Sequence, residues 1–191
     1  MFFEKGIVVF PHFAILAVAA LLKTNWEEMT VQDATHLTLS PIGVIRAEGG
    51  AFSLEVAPSH RPALAGLEGF SHLQILWWFS GCEDAHSRAS RTEEAPYRRG
   101  PALLGTFATR SPQRPNPIAL SCAGVLEIDR ERGVLALDYL DAEDGSPVLD
   151  IKPYLPSLDR VAAPGVPQWC AHWPASVEES GDFDWGEEFS F

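Results

Sequence analysis

Apolar and polar residues alternate with a period of two along much of this chain, as in β-strands with one buried face. Residues 52–56 (FSLEV) show the alternation most clearly, and the run from Leu39 to Arg46 before them is apolar and β-branched. Between the two runs, Glu48-Gly49-Gly50 supplies residues that tolerate positive φ. The pattern therefore predicts a β-hairpin.

A second hairpin and a central strand are predicted further along. Two strand-like runs, Ala119 to Ile128 and Val134 to Leu140, flank a polar DRERG turn. Residues 70–79 (FSHLQILWWF) are apolar on both faces, which indicates a buried central strand with His72 as a satisfied core histidine. Only Arg61 to Leu67 suggests one or two helical turns. We predict one mainly-β domain over residues 36–162, followed by an acidic C-terminal extension over residues 163–191.

Residues 1–28 have a different character. The run from Gly6 to Leu22 is apolar apart from Pro11 and His12, and it is shorter than the roughly 20 apolar residues of a membrane span. A signal peptide is a second interpretation, although Glu4 offsets Lys5 in its first residues. We favour a third, an apolar extension ahead of a true start at Met29, and we expect no membrane association.

Composition narrows the class of protein. The 191 residues include 46% hydrophobic ones, which excludes a disordered chain. With 26 acidic and 14 basic side chains the net charge is -12, which argues against a general nucleic-acid coat protein. Three cysteines without CxxC spacing predict neither a disulfide framework nor a zinc site, so we expect a reducing, cytoplasmic compartment and no metal.

Charge is nevertheless distributed unevenly. Residues 88–114 carry six arginines and two acids, whereas residues 177–191 carry six acids and no base. An anionic partner could meet a local positive patch on this acidic molecule. The alternative is that the arginines pair internally and the acidic residues only solvate the C-terminus.

Residues 105–118 (GTFATRSPQRPNPI), here called the Arg-Pro loop, are the first candidate site. Three prolines within six residues fix the backbone, so polar groups are held in place at little entropic cost. Arg110 and Arg114 can each grip a carboxylate or phosphate with two parallel hydrogen bonds. The alternative is a rigid connector whose arginines pair with downstream Asp residues.

The second candidate is the carboxylate-rich stretch of residues 138–154. Asp141 or Asp144 could bind ribose hydroxyls or an amine, and Asp150 could pair with Lys152. For Asp144-Gly145 we favour an ordinary turn, while the role of Asp141 stays open. The sequence has no phosphate-binding glycine loop, no HExxH and no G-x-S-x-G motif.

Four ordered blocks together resemble the TsaA-like family, whose best understood members are the TrmO tRNA methyltransferases. The blocks are residues 41–46 (PIGVIR), 66–73 (GLEGFSHL), 107–121 (FATRSPQRPNPIALS) and 144–156 (DGSPVLDIKPYLP). The resemblance implies a single β-barrel of coiled antiparallel strands with short helical turns, which dimerises and binds S-adenosylmethionine without a Rossmann fold. It further implies methyl transfer to N6 of threonylcarbamoyladenosine, beside the anticodon in tRNA.

The same resemblance suggests site residues. Those expected to bind the cofactor are Arg110, Leu120, Asp138, Tyr139, Leu140, Asp141, Ser80 and Gly81. Those expected to bind the substrate are Arg114, Asn116, Arg98, Arg99, Lys152 and Tyr154. Asp141 is also the candidate for the base that removes the N6 proton.

The chain departs from the family pattern in three places. One is Ser80-Gly81-Cys82 after the apolar strand, where the family commonly has His-Gln. Only residues 47–66 separate Arg46 from Leu67, where family members carry a longer loop that reaches the cofactor. The C-terminal domain of longer members is replaced by the acidic extension. A second hypothesis therefore stands beside the tRNA methyltransferase, namely a diverged barrel that methylates or only binds a small molecule.

Overall fold

Six antiparallel strands close into a barrel in the computed structural model, which describes residues 38–190. The barrel strands are β1 Gly43–Glu48, β2 Ala51–Val56, β3 His72–Trp78, β6 Ile118–Asp129, β7 Val134–Leu137 and β8 Pro147–Pro153. In the order β1-β2-β7-β6-β3-β8, each strand is hydrogen-bonded to the next, and β8 returns to β1. Two short strands, β4 Thr92–Glu94 and β5 Leu103–Gly105, form a separate two-stranded sheet. The mainly-β barrel expected from the sequence is confirmed.

Both predicted hairpins are present. Strands β1 and β2 pair from Gly43 opposite Val56 to Glu48 opposite Ala51. The turn between them is made by Gly49 and Gly50 at φ 60° and 81°, a region that glycine enters without steric cost. The β6–β7 hairpin turns at Gly133, whose φ is 75°.

Strand β3 has one buried face rather than two. Leu73, Ile75 and Trp77 point into the barrel core and are at most 4% exposed, while the residues between them are only partly buried. His72 belongs to the outer set, and its Nδ1 lies 2.9 Å from the Ser71 hydroxyl. The prediction of a core histidine was therefore wrong, because each strand of a barrel has an outer face that also carries apolar residues.

The helices of the described residues are all short. The α-helical turns are Ala85–Ala89, Pro156–Asp159 and Val177–Ser180. The 3-10 turns are Pro58–Leu64, Thr106–Ala108, Gln168–Cys170 and Trp185–Glu187, the first of which overlaps the turns expected at 61–67. No helix within residues 38–190 has the length and hydropathy needed to cross a membrane. The expectations for residues 1–28 lie outside the described residues.

The C-terminal extension packs against Tyr97 through aromatic side chains. The Tyr97 ring stacks on Trp169 with a centroid distance of 5.2 Å and meets Trp173 edge-on at 5.0 Å. Phe189 is bridged to Tyr97 as an isolated antiparallel pair. Residues 169–189 thus form a small aromatic cluster outside the barrel core.

Candidate functional site

Arg114 braces the Arg-Pro loop from within. Its Nε donates to the Ser111 carbonyl at 2.7 Å, and its Nη2 donates to the carbonyls of Thr109 and Thr106 at 2.7 and 3.3 Å. The guanidinium is half-buried, and its hydrogen bonds to three carbonyl groups hold the loop backbone together. The alternative that the loop arginines pair with downstream Asp residues is therefore not realised for Arg114, which binds backbone oxygens.

Arg110 reaches from the same loop to the outer face of the barrel. Its Nη1 donates to the Leu120 carbonyl on β6 at 2.9 Å, so these two predicted cofactor residues are joined directly. Both residues are exposed, and no carboxylate of residues 38–190 lies within 4 Å of the Arg110 guanidinium. Most of its five N–H donors are therefore available to an anion.

The segment after β7 carries the predicted carboxylates. Asp138 Oδ1 accepts hydrogen bonds from the backbone N–H of Gly124 at 2.8 Å and of Tyr139 at 2.6 Å. Leu140 turns inward and is 1% exposed, so only its backbone can face a ligand. The Asp141 carboxylate is exposed, with no hydrogen-bond partner among residues 38–190.

Tyr139 lies beside these carboxylates with its ring largely exposed. Its ring meets Phe52 edge-on at a centroid distance of 5.2 Å. Partial burial, and then the negative charge of Asp141, raises the pKa of the Tyr139 hydroxyl, which keeps it protonated near neutrality.

Two predicted cofactor segments are joined at one end of the barrel. The Phe79 N–H donates to the Pro117 carbonyl at 2.9 Å, which ties the end of β3, and the Ser80-Gly81 turn after it, to the Arg-Pro loop. The third segment begins elsewhere, because Asp138 is hydrogen-bonded to Gly124, which pairs with His72 at the other end of β3. Partial burial, and then nearby carboxylates, raises the pKa of the Cys82 thiol after the Ser80-Gly81 turn.

Two of the predicted substrate residues lie elsewhere. Lys152 Nζ pairs with Asp150 Oδ2 at 2.5 Å, which is the ion pair considered from the sequence. The Tyr154 N–H donates to the His72 carbonyl at 3.0 Å, at the start of β3. His72 is six residues from the Trp78 end of β3, about 20 Å away at roughly 3.3 Å per residue. Tyr154 is therefore remote from the Ser80-Gly81 turn.

Arg98 and Arg99 are occupied by the C-terminal extension. Arg98 Nη1 lies 3.1 Å from Glu187 Oε2, and its Nε donates to the Phe189 carbonyl at 3.0 Å. Arg99 Nε lies 3.7 Å from Glu188 Oε1, whose side chain is only 3% exposed. For these two arginines, internal pairing is the arrangement that the structure shows.

One remaining residue, Asn116, was predicted from the sequence, and two others were not. Asn116 is exposed, and its carbonyl accepts the Ile118 N–H at 2.7 Å. Sequence reasoning missed Gly124, where a Cβ would collide with the Asp138 carboxylate. It also missed Phe107, an apolar side chain that is 84% exposed although it stands among polar loop residues. Nothing within residues 38–190 groups three His, Cys, Asp or Glu side chains so as to hold a metal ion.

Residues 18–160 match the family described as the tRNA-methyltransferase O N-terminal domain, which covers more than half of the chain. The chain belongs to this TrmO N-terminal domain family. The TsaA-like resemblance seen in the four sequence blocks is thereby confirmed.

The similar proteins include relatives much longer than the matched region and relatives of about its length. The tRNA (adenine(37)-N6)-methyltransferase of Escherichia coli (strain K12) is 40% identical over 62% of this chain, which spans only 51% of that protein. A protein of Archaeoglobus fulgidus named S-adenosyl-L-methionine-binding protein is 34% identical over 65% of this chain and 94% of its own length. The crystal structure of TrmO from Pseudomonas aeruginosa is 33% identical with a TM-score of 0.52, over 68% of this chain and 61% of that chain.

Proposed function

We propose that this protein is an S-adenosylmethionine-dependent methyltransferase that acts on N6 of the modified adenosine beside the anticodon in tRNA. The observation that carries the proposal is the exposed Arg110 guanidinium, joined to Leu120 and free of carboxylate partners in the described part of the chain. The E. coli, mouse and human relatives that share 40–42% identity are named for this reaction, which supports the proposal.

The residues proposed to bind the cofactor suit it chemically. Arg110 offers a fork of donors to the methionine carboxylate, and the exposed Asp141 carboxylate can accept hydrogen bonds from ribose hydroxyls. The backbone of residues 138–140 and of the Ser80-Gly81 turn offers N–H and C=O groups to the adenine ring. Asp138 acts through its position, because its Oδ1 already holds two backbone N–H groups.

S-adenosylmethionine supplies, when bound, a methyl group made electrophilic by its sulfonium. The protein's part is to hold the acceptor nitrogen in line with that methyl group and to take up the proton that N6 loses as the new C–N bond forms. Asp141 is our candidate for the proton acceptor, since its carboxylate is exposed and has no hydrogen-bond partner within residues 38–190.

For the acceptor, we propose that the positive patch of residues 88–114 binds the RNA. Asn116 presents an exposed amide at the edge of the Arg-Pro loop, whereas Arg114 contributes by bracing the loop. Arg98 and Arg99 are available to RNA only if they exchange their Glu187 and Glu188 partners for phosphates. Lys152 and Tyr154 lie away from the Arg-Pro loop, so any contact that they make with the RNA is separate from it.

Calorimetric titration of S-adenosylmethionine into the full chain tests the cofactor site. We expect micromolar binding that is lost in Arg110→Ala and retained in Arg132→Ala, whose guanidinium is exposed on the β6–β7 turn. Transfer of labelled methyl groups to tRNA would then test the acceptor. A well-folded protein that shows no heat of binding would rule out the methyltransferase.

A second candidate is a protein that binds S-adenosylmethionine, or methylates a small molecule, without acting on tRNA. The observation that favours it is that the A. fulgidus relative, of which this chain spans 94%, is named only for binding the cofactor. Cofactor binding without RNA binding or RNA methylation would select this candidate.

We also propose a cytoplasmic homodimer. Support for association comes from exposed apolar side chains on and near β6, where Leu120, Leu126 and Tyr139 are 46%, 69% and 62% exposed. Light scattering of the purified protein during size-exclusion chromatography would give the mass directly, and a monomeric mass would contradict the dimer.

A further inference from the structure

The Phe107 ring is presented to solvent on a firmly held turn. It is 84% exposed, the largest exposed fraction of any large apolar side chain in residues 38–190. The turn Thr106–Ala108 beneath it is fixed by the Thr106 N–H, which donates to the Arg91 carbonyl at 3.0 Å, and by the Thr109 hydroxyl, which donates to the Thr106 carbonyl at 2.9 Å. Thr106 and Thr109 are buried, so the aromatic ring stands on a rigid support.

Two arginines near this turn have no carboxylate partner among residues 38–190. Arg88 Nε donates to the Pro115 carbonyl at 3.1 Å, and Arg91 Nη1 donates to the carbonyls of Arg88 and Ser90 at 2.9 and 3.0 Å. Within residues 38–190 neither guanidinium has a carboxylate within 4 Å, in contrast to Arg98 and Arg99. Two such guanidinium groups thus lie on the segment that contacts the Arg-Pro loop, while one carboxylate, that of Glu93, lies 3.0 Å from the Thr109 hydroxyl.

We propose that Phe107 stacks on an unpaired base of the RNA while Arg88 and Arg91 bind the adjacent phosphates. This inference rests on the proposed tRNA substrate. It names the part of the protein that binds the loop of that tRNA. An exposed aromatic ring flanked by cations is the chemistry that recognises single-stranded nucleic acid, because a base must be unstacked to offer its face. A duplex offers no such face, so the occupant is a loop.

A second copy of this chain fits the same surface less well. In a two-fold dimer whose axis passes beside Phe107, the patch meets itself, so the arginines there would face the arginines of the partner subunit. Like charges brought together across an interface are costly, whereas a phosphate backbone neutralises them and releases counterions. Charge complementarity thus favours RNA as the occupant.

Fluorescence anisotropy of a labelled anticodon stem-loop RNA, measured over a range of salt concentrations with the full chain, separates the two contacts. We expect Phe107→Leu to weaken binding about tenfold, the size of one lost base–aromatic stack, with no change in the salt dependence. Phe107→Tyr keeps the ring and should bind as the unaltered protein does. Arg91→Ser should reduce the slope of log K against log salt by about 0.7, the value for one phosphate contact on a single strand.

Arg132→Ser is the matched control for charge, since it removes one exposed arginine from the turn after β6 and should change neither affinity nor slope. The same RNA annealed into a continuous duplex should bind weakly and should not distinguish Phe107→Leu from the unaltered protein. S-adenosylmethionine binding by every variant, followed by calorimetry, reports that the fold and cofactor site are intact.

The inference is overturned if the unaltered protein binds the stem-loop RNA but Phe107→Leu binds it equally well, a result that leaves the tRNA substrate standing. A change in molecular mass on Phe107→Leu would place the ring in a protein interface instead. If the unaltered protein binds S-adenosylmethionine but no RNA, both this inference and the proposed tRNA substrate fail.

Discussion

Asp138 and Gly124 lie so close that the space between the β6 backbone and the carboxylate admits no side chain. The contact lets one carboxylate oxygen accept two backbone N–H groups and so fixes the direction in which residues 139–141 leave β7. Because these residues are proposed to hold the cofactor, Gly124 is expected to influence the shape of the proposed site.

Gly124→Ala should therefore destabilise the protein by about 1–3 kcal/mol, because the new Cβ overlaps Asp138 and must displace it. Urea unfolding followed by circular dichroism measures this change. Gly165→Ala is the matched control, since a Cβ there meets nothing within 4 Å. Equal midpoints for the two variants would mean that the segment shifts without cost.

Arg114 also acts at the scale of one residue. Lys in its place keeps the charge but loses the fork that reaches three carbonyls, so we expect Arg114→Lys to lower the free energy of unfolding by about 1.5–3 kcal/mol. Urea unfolding of this variant beside Arg132→Lys tests it. If the stability were unchanged and RNA binding were weakened, Arg114 would be a substrate contact, as the sequence predicted.

Among the elements, the C-terminal extension departs most from what its acidic composition indicated. Its Glu188 carboxylate accepts hydrogen bonds from His172 Nε2 at 2.7 Å and Trp173 Nε1 at 3.1 Å, next to the Tyr97 ring cluster. These two hydrogen bonds, and then the charges of His172 and Arg99, lower the pKa of Glu188 below the ordinary value for a glutamate.

This lowered pKa has a defined consequence for stability. The ionised carboxylate holds the extension in place, so its contribution is complete above the ordinary glutamate pKa and is lost as the pH falls through the lowered pKa. Tryptophan fluorescence should report release of Trp169, Trp173 and Trp185 on acidification, and Glu188→Gln should abolish that pH dependence. The same acid transition in both proteins would assign the release to another group.

Considered whole, the molecule combines a net charge of -12 with a positive patch that its own C-terminal extension partly neutralises. Residues 163–191 carry six acids and no Lys or Arg, so a chain ending at residue 162 would have a net charge of -6. The extension therefore sets both the charge of the whole protein and the number of arginines that remain available.

Ending the chain at residue 162 should expose Tyr97, now 9% exposed, and leave Arg98 and Arg99 without their partners. We expect a lower melting temperature and stronger RNA binding with a steeper salt dependence, since two more guanidinium groups can meet phosphates. Calorimetric melting and anisotropy with the stem-loop RNA measure these effects. An unchanged salt slope would show that the two arginines lie outside the RNA footprint.

The predictions that succeeded depend on short-range features. Both hairpins follow from alternation and from turn residues within a dozen positions, and the closed barrel followed from the resemblance carried by four sequence blocks. The prediction for His72 failed because apolar residues on both faces of β3 do not reveal which face turns inward. The proposed cofactor and substrate residues stay predictions, and the hydrogen bond from Arg110 to the Leu120 carbonyl shows only that these two residues are in contact.

The sequence by itself determined the two hairpins, the strand β3 and the family, because these depend on local backbone preferences and on ordered motifs. Only the tertiary structure decided which charges are compensated. Arg98 meets Glu187 across 89 positions, whereas the contacts that the described residues give Arg88 and Arg91 are with carbonyl groups, that of Pro115 for Arg88 and those of Arg88 and Ser90 for Arg91. Pairing between distant residues depends on how the chain returns on itself, and neither composition nor periodicity contains that information.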